Sequence, residues 1–159
     1  MIIRKPTNSE LAELREIAGF QFDVKGELLI PDSIYVAISP NTNRIRYILL
    51  NNEKYLTLRS RDYRFNLHIP AGRILLQITP PPKLRVYVKK EYIDFVARGG
   101  TLFAKHVLTA DPDIRPGDEV LVVNEQGELV AVGRSRLSGW EIVQYNRGEA
   151  VRIREGVFK

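Results

Sequence analysis

The chain has 159 residues, 44% of them hydrophobic, and no apolar run approaches the roughly 18 residues that a membrane-spanning helix needs. Cysteine is absent and only His68 and His106 carry imidazole groups, which argues against disulfides, thiolate metal sites and a structural zinc ion. A net charge of +5 favours a polyanionic partner, although a merely basic surface would have the same charge.

The N-terminus also bears on where the protein works. Residues 1–6 lack the apolar core of a signal peptide, so we expect a cytoplasmic protein. A single Met, no Cys and 27% charged residues of both signs follow the trend of proteins from hot environments, which favours a thermophilic source.

The first half begins with one helix and continues as strands. Thr7 and Glu10 have the spacing of a capping box, and the apolar pattern that follows predicts a helix ending near Gly19. Short apolar runs separated by turn residues then predict a strand meander at 34–38, 45–50 and 55–58. A last apolar run at 74–78 closes this half, and the prolines at 80–82 predict an extended spacer.

Residues 41–75 combine many cations with aromatic side chains. The cations include Arg44, Arg46, Arg59 and Arg61, and Tyr47, Tyr55, Tyr63 and Phe65 lie among them. Such a segment can contact phosphates and stack on bases, so it is a possible second RNA surface. An antiparallel sheet with core aromatics and exposed arginines would have the same pattern.

The second half reads as a small barrel with one helix. Alternation predicts a strand at 84–88, and the pattern at 90–98 predicts a helix with Tyr92, Phe95 and Val96 inward, which ends at Gly99 and Gly100. Further strands are predicted at 101–108, 118–124, 129–134, 141–145 and 150–154. This number of short strands indicates a closed or nearly closed barrel.

Several blocks of the second half resemble the PUA domain, named after pseudouridine synthases and archaeosine transglycosylases. They read FVARGGTLFAKHV (95–107), DPDIRPGDEVLVVN (111–124), LVAVGRS (129–135) and RGEAVRIREG (147–156). The resemblance covers residues 83–159 and implies a β-barrel module that holds RNA.

The first half resembles the domain that precedes the PUA module in archaeal archaeosine tRNA-guanine transglycosylases. The residues that carry this likeness are LREIAGFQF (14–22), NRIR (43–46) and KLRV (83–86). In that enzyme family the catalytic aspartates lie on a (β/α)8 barrel of well over 200 residues, which this sequence does not contain. The resemblance therefore implies an archaeal RNA-holding module without the catalytic barrel.

The resemblance also implies where RNA would bind. In PUA domains the helix, the glycine turn and the next strand line an RNA groove, where a missing side chain lets a phosphate approach the backbone. A strand at 101–108 would turn Lys105 and His106 to opposite faces, and we expect Lys105 to contact phosphate and Phe103 to pack in the barrel. The predicted RNA-binding residues are Arg98, Gly99, Gly100, Thr101, Lys105, Arg152 and Arg154.

Two arginines of the last strand complete this groove. Arg152 and Arg154 share one face by the period of two, beside the glycine turn. Arg134 and Lys159 are expected to lie outside the groove. We also place Gly100 at a backbone position with positive φ.

Catalytic and metal sites find little support. Arg115 to Asp118 reads as a Pro-Gly turn in which Asp118 bonds the turn, and the acids around it lack a calcium-loop pattern. The chain has no P-loop, GxGxxG, GxSxG or HExxH motif. A Ser-His-Asp arrangement stays open, but no motif places one.

The sequence thus predicts an α+β protein with an N-terminal α/β module at 1–82 and a PUA pseudo-barrel at 83–159. The favoured function is non-catalytic binding of structured RNA such as tRNA, with no cofactor and no metal. One alternative is an accessory subunit that holds RNA for a separate tRNA-modifying enzyme. Another is a stand-alone enzyme of tRNA modification.

Overall fold

The computed structural model describes residues 1–158 and divides the chain into two compact units, Met1–Ile78 and Thr79–Lys159. None of the helices among the described residues is long and apolar enough to cross a bilayer.

The first unit contains a long helix, α1 (Asn8–Phe22), followed by one short turn of helix, α2 (Gly26–Leu29). The predicted capping box is confirmed, since the Glu10 amide donates to Thr7 Oγ1 at 3.1 Å and the Thr7 amide donates to Glu10 Oε1 at 2.8 Å. The predicted end near Gly19 is wrong by about one turn. The helix ends at Asp23, whose φ of 54° is the left-handed conformation of many helix ends.

The sheet of this unit is an antiparallel meander. It contains β1 (Ile2–Arg4), β2 (Tyr35–Ile38), β3 (Ile45–Leu50), β4 (Glu53–Leu58) and β5 (Phe65–Leu67), paired in that order. The three predicted strands are confirmed as β2, β3 and β4. Asn51 and Asn52 both have positive φ, which is the backbone that a tight two-residue hairpin requires.

The apolar run at 74–78, for which the sequence predicted no helix, belongs to a helix, α3 (Ile69–Ile78). Ala71 and Leu75 are fully buried on one side of α3, and the spacing of four residues is that of a helical face. The continuous run of apolar residues at 74–78 hid this period.

The second unit is built on a six-stranded sheet. Its strands are β6 (Arg85–Val88), β7 (Leu102–Phe103), β8 (Val107–Ala110), β9 (Glu119–Val123), β10 (Leu129–Ser135) and β11 (Glu149–Gly156). They are ordered β7-β11-β10-β9-β6-β8, and β6 with β9 is the parallel pair. The predicted strands at 84–88, 118–124, 129–134 and 150–154 are confirmed.

Two strand predictions in this unit are wrong. The segment 101–108 is interrupted by a 3₁₀ turn, Ala104–His106, so that β7 and β8 are separate strands. The segment 141–145 is a helix, α5 (Gly139–Tyr145), which begins with a capping box between Ser138 and Glu141.

The predicted helix at 90–98 forms as a 3₁₀ turn, Lys90–Tyr92, followed by α4 (Ile93–Ala97). Val96 is buried as expected and packs in the core of the unit, but Phe95 is 56% exposed, so its inward placement is wrong. Helix α4 packs on β10 and β11, and α5 packs on β8. The predicted α+β fold is confirmed.

Candidate functional site

The glycine turn after α4 has one open position and one covered position. Gly99 has φ 101°, and no atom lies within 4 Å of the place that a side chain would occupy. Gly100 does not have positive φ, contrary to our expectation, and a β-carbon there would lie 2.3 Å from the ring of Phe95. The backbone at Gly99 is therefore open to a ligand, whereas Phe95 covers Gly100.

The turn leads directly into β7, which pairs with β11. Leu102 lies opposite Val151, and both are fully buried, while Phe103 lies opposite Glu149. Phe103 is 40% exposed, so its predicted place inside the barrel is wrong. A strand turns successive side chains to opposite faces, and the inward place at this point belongs to Leu102.

The 3₁₀ turn after β7 changes the expected facing of Lys105 and His106. Lys105 is exposed, and its carbonyl oxygen accepts a hydrogen bond of 2.8 Å from Lys89 Nζ. The half-buried His106 ring stacks on Tyr92 with ring centroids 3.4 Å apart and meets Phe103 edge-on at 6.2 Å. Burial lowers the pKa of His106, and Lys105 and Lys89 lower it further, which favours the neutral imidazole.

Arg152 and Arg154 lie on the same strand but differ in their surroundings. The Arg152 side chain is 63% exposed and its Nε donates to Glu149 Oε1 at 3.2 Å. The Arg154 side chain is 24% exposed and forms a two-pronged pair with Glu119, whose side chain is completely buried. Arg154 is therefore held in place by a structural ion pair, while Arg152 faces solvent.

Arg134 lies directly opposite Arg152 across the β10–β11 ladder. Directly paired residues project to one face of a sheet, so Arg134 lies beside Arg152, whereas we expected it to lie apart from the predicted RNA-binding residues. Arg136 also approaches Glu149, at 3.8 Å. We call the outward side of β7, β11 and β10 the β11 face; it carries Phe103, Arg134, Arg136, Glu149 and Arg152. Lys159 lies outside the described residues.

The other predicted residues lie around the same turn. Arg98 is exposed, and its guanidinium carbon lies 6.0 Å from the centre of the Phe158 ring. Thr101 is half-buried between the glycine turn and β7. The structure thus brings Arg98, Gly99, Thr101 and Arg152 to adjoining segments.

Several exposed aromatic side chains of this unit escaped the sequence analysis. Phe95 lies over Gly100, and on α5 the Trp140 and Tyr145 rings meet edge-on at 5.7 Å with more than half of each residue exposed. Trp140 lies between Ser138 and Glu141, and the spacing of that capping box would have revealed the helix that exposes it. Nothing in the sequence distinguishes Phe95 from a core residue.

In the first unit, the arginine-rich segment forms a pocket of about 120 Å³. Arg44, Arg46 and Arg59 line it, together with the aromatic ring of Tyr63, whereas Arg61 does not. We call this cavity the hairpin pocket. Tyr55 and Phe65 are fully buried and Tyr63 is 51% exposed, so the segment supplies both core aromatics and surface aromatics.

The titratable groups do not assemble a metal centre in residues 1–158, where no three His, Asp or Glu side chains lie close enough to share an ion. Asp118 bonds the turn as predicted, since its Oδ2 accepts from the Arg115 amide at 2.9 Å.

Curated proteins similar to this chain are archaeal transglycosylases. The chain is 39% identical over 148 residues to a tRNA-guanine(15) transglycosylase of Thermoplasma volcanium, covering 92% of this chain and 23% of that protein. It is 39% identical over 157 residues to the Pyrococcus furiosus protein of the same name, covering 98% of this chain and 26% of that protein. The chain thus spans about a quarter of the length of these relatives, in their C-terminal region.

Two solved structures of similar fold cover nearly the whole chain. A hypothetical protein from Pyrococcus horikoshii superposes with a TM-score of 0.76 at 22% identity, over 99% of this chain and 96% of that one. A conserved PUA domain protein from Thermoplasma acidophilum gives a TM-score of 0.68 at 20% identity, over 98% and 93% of the two chains. At these identities the likeness shows the fold alone.

Two family models account for most of the chain. Residues 12–82 match the patch-forming domain C2 of tRNA-guanine transglycosylase, and residues 84–157 match the PUA domain. The chain therefore contains a PUA domain, preceded by a domain of the transglycosylase C2 type.

Proposed function

We propose that this chain binds structured RNA, tRNA first of all, through its PUA domain and without catalysing a reaction. The observation that carries the proposal is the PUA match over residues 84–157, because this fold binds RNA. The relatives named tRNA-guanine(15) transglycosylase point to tRNA as the RNA. A cytoplasmic location is part of this proposal.

The surface around the glycine turn has the chemistry that RNA needs. Gly99 leaves room for a phosphate at the backbone, and exposed cations at Arg98, Lys105 and Arg152 would contact neighbouring phosphates. Phe103 adds an exposed ring on which an unpaired base can stack. Gly100 lies under the Phe95 ring, Arg154 pairs with Glu119, and Thr101 is half-buried, so we assign these three residues to positions beside the surface.

A second RNA surface is proposed in the first unit. Arg44, Arg46 and Arg59 line the hairpin pocket, and Arg61 lies in the adjoining turn.

The test is tRNA binding by charge-removing variants. Arg152→Ala and Arg134→Ala should each weaken tRNA binding by about threefold to tenfold through the loss of a charge-assisted phosphate contact. Lys25→Ala, which removes one exposed charge outside both proposed surfaces, is the matched control. Equal losses in all three variants would show that binding is diffuse electrostatics.

Salt dependence adds an independent readout. If phosphate contacts dominate, log K should fall linearly with log salt, with a slope of several units. A flat dependence would contradict RNA binding through phosphates.

A second candidate function is an accessory role beside a separate tRNA-modifying enzyme. It is favoured by the likeness of this chain to the C-terminal region of proteins named tRNA-guanine(15) transglycosylase. Such a subunit should form a stable complex with a transglycosylase catalytic chain of the same organism and raise its affinity for tRNA. A catalytic chain whose tRNA affinity is unchanged by this protein would exclude the role.

A further inference from the structure

Two turns at one end of the first sheet enclose the hairpin pocket. The turn between β2 and β3 is closed by the Ser39 amide, which donates to the Arg44 carbonyl at 2.8 Å. The turn between β4 and β5 is closed by the Arg59 amide, which donates to the Arg64 carbonyl at 2.9 Å. Because β3 pairs with β4, the two turns lie side by side and both line the pocket.

Arg59 is held rigidly at this pocket. Its side chain is only 16% exposed, its Nε donates to Asp62 Oδ1 at 3.1 Å, and its Nη1 donates to Asn66 Oδ1 at 3.3 Å. These two bonds fix the plane of the guanidinium, while Nη2 has no hydrogen-bond partner among residues 1–158. A planar guanidinium with a free nitrogen suits an oxyanion.

Arg44 and Arg46 supply two more positive charges. Within residues 1–158 neither of them forms an ion pair with a carboxylate, and the Arg46 guanidinium lies 5.9 Å from the centre of the Tyr47 ring. Of the three arginines, Arg59 forms an ion pair with a carboxylate, that of Asp62. Three guanidinium groups and one carboxylate leave two positive charges at the pocket uncompensated.

Neutral donors complete the lining. Ser39, Thr42 and Ser60 carry hydroxyl groups. Tyr63 also lines the pocket and has φ 55°, a backbone conformation that bulky residues rarely adopt. Hydroxyl groups and guanidinium groups are the donors that proteins use on phosphate oxygens.

We propose that the hairpin pocket binds a phosphate monoester, the dianionic group found at the end of an RNA chain or on a free nucleotide. A monoester carries about −1.5 to −2 charges near pH 7, which matches the two uncompensated positive charges, whereas an internal phosphodiester carries one. A pocket also suits a chain end, because an internal phosphate needs an exit for the nucleotide on each side. As a site for the end of an RNA, the proposal rests on the RNA-binding function proposed above.

The experiment compares one tRNA in two forms, with a 5′ monophosphate and with the 5′ hydroxyl that phosphatase leaves. Fluorescence anisotropy with the full chain should show the phosphorylated form binding about fivefold to tenfold more tightly. Arg44→Gln and Arg46→Gln should each bring this ratio close to one, because each removes a cation from the pocket. Arg73→Gln removes an exposed charge of α3 that does not line the pocket, so the ratio should persist.

The ratio of the two affinities measured on one variant is insensitive to loss of folded protein, since the binding of both RNAs is affected equally.

Calorimetry with adenosine 5′-monophosphate and adenosine identifies the source of the monoester. Arg44-dependent binding of the nucleotide without a preference between the two tRNA forms would assign the site to a free nucleotide.

Equal binding of both tRNA forms without nucleotide binding would overturn the monoester site and leave the proposed RNA binding intact. A preference that survives both arginine substitutions would also overturn it, because the monoester would then bind elsewhere. If neither form of the tRNA bound, the result would instead contradict the proposed function.

Discussion

At the scale of single residues, two arginines that are close together in the sequence have different roles in this molecule. Arg152 and Arg154 are two positions apart on β11, yet Arg152 is exposed while Arg154 neutralises the buried carboxylate of Glu119. Leaving a buried charge without its partner is far more destabilising than removing an exposed ion pair. A period of two predicts both side chains on one face, but it does not reveal which of them has a buried partner.

The first prediction follows from this difference. Arg154→Ala should lower the free energy of unfolding by about 2 to 4 kcal/mol, since it removes the ion pair with the buried Glu119 carboxylate. Chemical denaturation measures the loss, and Arg152→Ala is the matched control with a change below about 1 kcal/mol.

A second substitution checks the cause. In an Arg154→Ala background, Glu119→Gln should recover part of the lost stability because it removes the buried charge. If Arg154→Ala unfolds at the same denaturant concentration as the wild type, the pair contributes little to stability.

A second residue-scale prediction concerns acid. Arg4 donates to both oxygens of Glu10 at 2.7 and 2.9 Å, and these bonds, with that from the Thr7 amide, lower the pKa of Glu10 from 4.5 to about 2. A carboxylate whose pKa is lowered by folding stabilises the fold above its usual pKa, and this stabilisation disappears as the pH falls towards 2. Arg4→Ala should therefore be less stable than the wild type at pH 6, with a difference that shrinks below pH 4.5.

Denaturation midpoints of the two proteins between pH 6 and pH 2 measure this convergence. Lys5→Ala is a suitable control, since it removes a neighbouring charge that does not contact Glu10. A difference that stays constant over the whole range would show that Arg4 acts independently of the charge of Glu10.

At the scale of elements, the turn between α4 and β7 depends on its two glycines for different reasons. Gly99→Ala should destabilise the protein by about 1 kcal/mol, because φ 101° is unfavourable for any residue with a side chain. Gly100→Ala should displace the exposed ring of Phe95 with a smaller change in stability. Thermal unfolding of the two variants shows which substitution lowers the stability more. A larger loss of stability for Gly100→Ala than for Gly99→Ala would contradict the prediction.

The elements also show what the sequence could predict. The capping box of α1, the hairpin of β9 and β10 and the final strand were predicted because caps, turns and alternation are local signals. Helix α5 was missed although Ser138 and Glu141 form a capping box, since its short apolar pattern also fits a strand. The break of the strand at Ala104–His106 depends on packing around it, such as the stacking of His106 on Tyr92, which no local pattern encodes.

The sequence predicted only those parts of the candidate surface that depend on local signals or on the resemblance to PUA domains. The exposure of Arg98 and Lys105 and the proximity of Arg152 to the glycine turn follow from the resemblance to PUA domains. The pairing of Arg134 with Arg152 depends on the register of two strands far apart in sequence, which the sequence does not display. The hairpin pocket likewise arises because two turns meet at one end of a sheet.

At the scale of the whole molecule, the two units are joined by a segment whose residues also serve the second unit. Arg85 is 97% buried and begins β6, and burial lowers its pKa. Its Nη1 donates to Thr79 Oγ1 at 2.9 Å and its Nη2 donates to the Thr79 carbonyl at 3.0 Å. The start of the second unit thus includes residues that precede the proline spacer.

The last prediction tests this with two fragments. The fragment 79–159 should unfold cooperatively by itself, because its strands, helices and core belong to one compact unit. The fragment 83–159 should be less stable by about 2 kcal/mol, since it lacks the two Thr79 oxygens that accept hydrogen bonds from the buried Arg85 guanidinium.

Denaturant unfolding followed by circular dichroism measures the stability of both fragments. The variant Thr79→Ala in the longer fragment separates the contribution of the Thr79 side chain from that of its backbone carbonyl. This variant loses the bond to Oγ1 but keeps the carbonyl, so its stability should lie between those of the two fragments. Equal stability of 79–159 and 83–159 would show that Thr79 does not stabilise the buried arginine. Absence of cooperative unfolding in 79–159 would show that the PUA domain depends on the preceding domain for its stability.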